Sequence, residues 1–172
     1  MKKIRIFTSL MIGLLLLNTT LFAQSRIKLA HLSSADLMEV MPGRDTAQKI
    51  IEDYATSLEE EIKAMYMEYQ NKAESFKKNQ AMMSQIVQDS KIKELQDLES
   101  RIKLFDEEAQ RDLQLKQEEL LKPLIDRAKV AISEVAKENN YTYVFDTSVG
   151  ALLYYENSDD ILALVKKKLN IK

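Results

Sequence analysis

"KKNQAMMSQIVQDSK" (residues 77–91) interrupts a stretch that otherwise reads as helix, and its reading decides the fold. It combines three lysines, an Asn-Gln pair and two adjacent methionines. Either the helix runs through it as one rod, or the chain turns here. From Ala47 to Asn139 there is no glycine and a single proline, Pro123. Before the interruption the apolar positions are Ile51, Tyr54, Leu58, Ile62, Met65, Tyr69, Ala73 and Phe76. They recur in steps of three, four and four, close to an eleven-residue period, which favours nearly straight or slightly right-handed pairing. After it they are Val87, Ile92, Leu95, Leu98, Ile102, Phe105, Ala109 and Leu113.

Folding the stretch back on itself pairs the two series. Ile62 meets Ile102, Met65 meets Leu98, Leu58 meets Phe105, and Phe76 meets Val87. The residue numbers of each pair add up to about 164, so the fold point lies near residue 82. A continuous rod would leave the stripe without an intramolecular partner, whereas an antiparallel αα-hairpin satisfies all of it. Asn79 is then expected to end the first helix in a left-handed conformation, and Ser84 to cap the second. Each arm of about 33 residues spans roughly 50 Å.

The charges agree. Acid precedes base at i,i+4 in Glu59–Lys63, Glu68–Lys72, Glu74–Lys78, Asp97–Arg101, Glu99–Lys103 and Glu118–Lys122. Each such pair adds only about 0.2–0.5 kcal/mol, but their number marks a solvated helix. Carboxylates so exposed lack the burial or crowding that acid–base chemistry needs.

Outside the hairpin, Lys2, Lys3 and Arg5 followed by the apolar run Leu10–Leu17 read as a secretory signal, with cleavage before Gln24. The run is too short for a bilayer span. The chain has no cysteine, so an exported product relies on packing or association rather than disulfides. "RIKLAHL" (26–32) reads as a strand with Ile27 and Leu29 on one side, and Ser33 or Ser34 can cap a short helix after it. "MPGRD" (41–45) is a break, with Asp45 or Thr46 as the next cap. Pro123 should kink the second helix or start a new segment, and the Asn139–Asn140 pair ends it. "YTYVFD" (141–146) and "ALLYY" (151–155) read as strands, and "NSDDILALVKKKL" as a closing helix with acids first and lysines last. The fold class is α+β, mainly α. Residues 1–23 are the signal, 24–46 and 124–172 form a small body, and 47–123 form the arm with its tip near 79–84.

The segments "RIKLAHLSSADLMEVMP", "ELLKPLIDRAKVAISEVAKENNYTYVFD" and "GALLYYENSDDILALVKKKL" together resemble the Skp/OmpH family of periplasmic chaperones. The resemblance implies a homotrimer in which strands of three chains build a β-barrel body. Ile27, Leu29, Tyr141, Tyr143, Phe145, Leu152 and Tyr154 would line that body. Three hairpins would then enclose a cavity that holds unfolded outer-membrane proteins without ATP. Short strands with open edges give an independent reason to expect association. The chain departs from the family's basic arms, since residues 47–123 carry 12 basic and 17 acidic side chains. Only the tip third, residues 72–93, is basic, with five lysines against Glu74 and Asp89. Contact with a membrane surface is therefore expected at the tips alone.

Phe76, Lys77, Lys78, Met82, Met83, Ile86 and Lys91 are the candidate client-binding residues: mobile apolar groups beside positive charge. Met82 and Met83 could equally be filler that closes the hairpin. Met67, Leu104 and Leu115 lie off the stripe and add sparse apolar contacts along the arms. No catalytic residue, cofactor or metal is expected. His31 is the sole histidine, a metal site needs several nitrogen or sulfur ligands, and no Gly-rich phosphate loop is present. Nucleic acid is not an expected partner, because the mature chain is acidic. The competing reading is a scaffolding coiled coil of the envelope that holds no client.

Overall fold

The computed structural model describes residues 27–156 and 159–171, so the expected signal peptide lies outside the described residues. Strand β1 (Leu29–Leu32) leads into the short helix α1 (Ser34–Glu39). Helix α2 (Arg44–Asn79) rises to the tip, a 3-10 turn covers Gln80–Met82, and α3 (Gln85–Glu138) returns over 54 residues. Strand β2 (Tyr143–Asp146) and helix α4 (Leu162–Lys168) complete the chain.

The hairpin forms as the stripe requires. Ile51, Leu98, Ile102 and Ala109 are buried, and Tyr54, Leu58, Ile62, Met65, Tyr69, Leu95 and Phe105 are half-buried between the helices. Two polar cross-arm contacts fix the register. Tyr54 donates to Asp112, and Lys72 pairs with Glu94. Both pairs have residue numbers that add up to 166, one residue beyond the expected fold point. Near the tip the inner position therefore falls to half-buried Gln88, while Val87 and Ile92 are more than 40% exposed. Gln88 Nε2 donates to the carbonyls of Gln80 (2.9 Å) and Met83 (3.1 Å), so an amide closes the end of the seam.

Several local expectations change. Asn79 keeps a right-handed backbone, and its amide bonds back to the Ser75 carbonyl, so a 3-10 turn replaces the left-handed stop. Ser84 does precede α3, but its carbonyl rather than its hydroxyl serves the first turn, accepting from Val87 and Gln88. Helix α2 begins at Arg44 after Gly43, whose φ of 96° only glycine adopts readily, so neither Asp45 nor Thr46 is the cap. Helix α3 runs unbroken through Pro123. Pro123 supplies no N–H, so the carbonyl of Glu119 loses its helical donor there. Asn140 at the end of α3 is left-handed, and there Tyr141 N–H reaches the Ala136 carbonyl at 2.9 Å.

In the body, β1 and β2 pair in parallel, with Leu29 opposite Tyr143 and Leu32 opposite Asp146. The long helical excursion between them makes a parallel crossover possible. Ala30 and Leu32 turn into the core, where Leu37, Met41, Ala47, Leu124, Ala128, Ala131, Val135, Ile161 and Val165 are buried. Ile27 and Leu29, expected together on one side, are both exposed, away from this core. "ALLYY" is not a strand. The free backbone edge of β1 instead meets Asp160 in a single bridge, and Ile161 N–H bonds to the His31 carbonyl. A strand needs a neighbour, and residues 151–155 have none among the described residues. Asp160 receives the Leu162 N–H at the start of α4, whose last turn carries Lys166, Lys167 and Lys168.

Candidate functional site

The tip is built by two helix ends and the 3-10 turn between them, and it divides the predicted residues into two groups. Phe76 and Met83 face inward across a small cleft with Leu95, Lys72, Lys91 and Glu94. They close the hairpin. Met82 and Ile86 are each 81% exposed and project from the fold point. The two adjacent methionines thus do different work, a split that their identical chemistry hides in sequence.

The lysines divide as well. Lys78 pairs with Glu74 at 2.6 Å, and Lys91 pairs with Glu94 at 2.7 Å. Lys77 is exposed and forms no ion pair among the described residues. Glu94 sits between Lys72 of one arm and Lys91 of its own. The Lys72 hydrogen bond above all, then that of Lys91, holds its carboxyl at about 2. Lys72 is raised in turn, chiefly by the same bond. Glu94 lies one residue beyond the basic window 72–93, and nothing local in the sequence marks its role. An acid twenty-two positions from Lys72 becomes its partner only after the chain turns. Of the seven candidate residues, Met82 and Ile86 are therefore the apolar ones left exposed, and Lys77 is the lysine without an ion pair among the described residues.

Farther down, the arm surface is sparsely apolar. Tyr66, Met67, Leu104 and Leu115 are each more than half exposed. The ion pairs only partly follow the expected ladder. Glu68–Lys72 and Glu74–Lys78 form, but Lys122 turns to Asp126 and Lys116 to Glu119.

The second candidate surface is the outer face of the two-stranded sheet. Ile27 (66%), Leu29 (45%), Tyr143 (57%) and Phe145 (40%) are exposed there, and Tyr154 is 80% exposed nearby. Tyr141 is half-buried under the Lys28 ammonium, 4.1 Å above its ring, and Leu152 is also half-buried. His31 is 5% exposed, packed against Tyr155 at 4.4 Å, with Nε2 2.7 Å from the Glu156 carbonyl oxygen. It is a packed residue. Below the sheet, the Asp146 carboxylate accepts from the backbone N–H and hydroxyl of both Ser34 and Ser148. Burial pushes this carboxyl up, but those hydrogen bonds outweigh it and hold it at about 2. The result is a staple from the end of β2 to the start of α1. No helix among the described residues is long and apolar enough to cross a membrane.

Comparison with known proteins places this architecture. A search of curated proteins gave no match. Among solved structures, a candidate outer membrane chaperone (OmpH-like) from Caulobacter crescentus CB15 superposes with a TM-score of 0.70. The two share 13% identity, and the match covers 83% of each chain, so it speaks for the fold. The sequence also matches the family described as "Outer membrane protein (OmpH-like)" over residues 28–169, which takes in both strands, the whole hairpin and the last helix. With strand, hairpin, strand and closing helix all inside the matched span, the chain belongs to the OmpH-like family.

Proposed function

We propose that this protein is an ATP-independent holdase of the periplasm. It would bind unfolded outer-membrane proteins between the arms of a homotrimer. The observation that carries the reading is the tip. Met82 and Ile86 are held almost fully in water at the far end of a helical arm, where packing gives no reason for them. Exposed, flexible apolar side chains at a tip that also carries an unpaired lysine suit weak contact with many partners. Family membership supports the chaperone role, as does the description of the Caulobacter neighbour.

The body supports association. Its outer sheet face leaves Leu29, Tyr143 and Phe145 in solvent, and the far edge of β2 carries no strand among the described residues. An open edge next to apolar side chains is a site for pairing with another chain. Residues 151–155 have a strand-like pattern and no strand partner, with Leu153 wholly exposed. A second copy would give both of these features a neighbour. Export with removal of the first 23 residues completes the reading, and contact with a membrane surface is confined to the tips.

The test is protection of an unfolded outer-membrane barrel against aggregation. Met82→Ser with Ile86→Ser should weaken protection at every salt concentration. Lys77→Glu should mainly slow capture, and only at low salt, because exposed charge is screened within about 8–10 Å under physiological conditions. Full protection by the Met82/Ile86 double variant would discard the tip as the capturing surface. Sedimentation of the parent as a monomer would discard the trimer.

A further inference from the structure

Methionine carries all the sulfur of this chain, which has no cysteine. Six methionines fall among the described residues, and their surroundings differ widely. Met41 is buried in the body core, and Met38, Met65 and Met83 are half-buried. Met67 is 55% exposed on α2, and Met82 is 81% exposed at the fold point.

The contrast between Met82 and Met83 is the informative one. Met83 shares a cleft with Phe76, Leu95, Lys72, Lys91 and Glu94, and its carbonyl accepts from Gln88 Nε2. A polar group added to its side chain would enter the end of the seam. Met82 ends the 3-10 turn, and its side chain takes no part in lining that cleft. Chemistry at the Met82 sulfur can therefore change the surface of the tip without opening the hairpin.

We propose that Met82 is a redox-sensitive modification site, at which conversion of the thioether to the sulfoxide withdraws an apolar contact from the tip. The reagent is a peroxide, a two-electron oxidant. A lone pair on Met82 Sδ attacks one peroxide oxygen, the S–O bond forms as the O–O bond breaks, and the other oxygen leaves as water. Sulfur is oxidised by two electrons and the peroxide is reduced by two. No thiol in the chain competes for the oxidant. Susceptibility follows exposure, so Met82 reacts ahead of Met67 and well ahead of Met83. The sulfoxide is polar, and it no longer supplies the flexible apolar contact of a thioether. A thiol-dependent sulfoxide reductase reverses the change, two thiols becoming a disulfide while the oxygen leaves as water. The chain has no disulfide for such thiols to break. Selectivity for Met82 stands on the exposures alone, whereas its effect on capture rests on the holdase reading above.

The test treats the mature chain with limiting hydrogen peroxide and follows it by mass spectrometry, with fragmentation to separate Met82 from adjacent Met83. Met82 should gain oxygen roughly fivefold faster than Met83, with amide exchange at the tip unchanged. Protection of an unfolded outer-membrane barrel should fall on treatment to the level of Met82→Ser, and return after reduction. Met82→Leu keeps an apolar side chain that peroxide does not oxidise, so its protection after treatment should equal its protection before. Met67→Leu should lose protection on treatment as the parent does. Equal oxidation of Met82 and Met83 overturns the proposal, and so does a Met82→Leu variant that loses protection like the parent. If oxidised Met82 leaves protection intact while Met82→Ser with Ile86→Ser loses it, the switch falls and the tip remains the capturing surface. If neither loses it, both readings fall.

Discussion

The body and the arm are both helical protein, but they are stabilised in different ways. In the body, Leu37, Ile161 and Val165 are fully enclosed by elements from both ends of the sequence. In the arm the core is one side chain thick. Most seam residues are half-buried, and only Ile51, Leu98, Ile102 and Ala109 fall below a tenth exposed. A body residue therefore supports many elements at once, while an arm residue supports its neighbours in the seam. Damage to the body should be global, and damage to the arm should stay local.

The largest expected effect tests the first half of that contrast. Leu37→Ala removes a fully enclosed side chain between α1 and α3, and should cost about 2–5 kcal/mol by chemical denaturation, with loss across the whole body. The matching arm change is Ile102→Ala, at 3% exposure. It should cost about 2–3 kcal/mol, read as faster amide exchange around residues 90–110 with body amides unchanged. If body amides accelerate equally, the two regions form one cooperative unit.

Asp146→Asn is next. It weakens the staple that joins β2 to α1, at an expected cost of about 1–2 kcal/mol. The folded carboxyl lies at about 2, below its ordinary value. Its contribution is therefore complete above about pH 4 and is lost as pH falls through about 2. The parent should lose this stability over that window, and the Asn variant should lack that part of the pH dependence. Glu94→Gln should do less, since the Lys72–Glu94–Lys91 cluster is exposed. The expected sign is faster amide exchange confined to residues 76–91, more evident at low salt. The same acid window applies to it, because its folded value is also about 2. Smallest of all is the effect of Met82→Ser with Ile86→Ser on stability, within about 0.5 kcal/mol, since both side chains are already in water. A clear loss of stability would mean that the tip pair packs against something.

Much of this was legible in the sequence. A stripe such as Ile51–Tyr54–Leu58–Ile62 followed by Leu98–Ile102–Phe105–Ala109 depends only on helical periodicity, and the need to bury both halves selects the hairpin. The register was placed within one residue for the same reason. Asn79 is not the left-handed stop expected of it, because the 3-10 turn over Gln80–Met82 and the bond from its amide to the Ser75 carbonyl already close the helix end at the tip. The fate of "ALLYY" was not legible, because alternation promises a strand only where an edge exists to receive it.

The sequence by itself determined the αα-hairpin, the small mixed body at its base and the position of the tip. These follow from the spacing of apolar residues and the scarcity of glycine and proline, which act locally. Only the tertiary structure decided that Met83 closes the seam while Met82 stands in water. It alone paired Glu94 with Lys72 across the arms, and let α3 pass Pro123 unbroken beside Gly43. Those outcomes depend on which surfaces meet after the chain has turned, and residue identity carries no record of that distance.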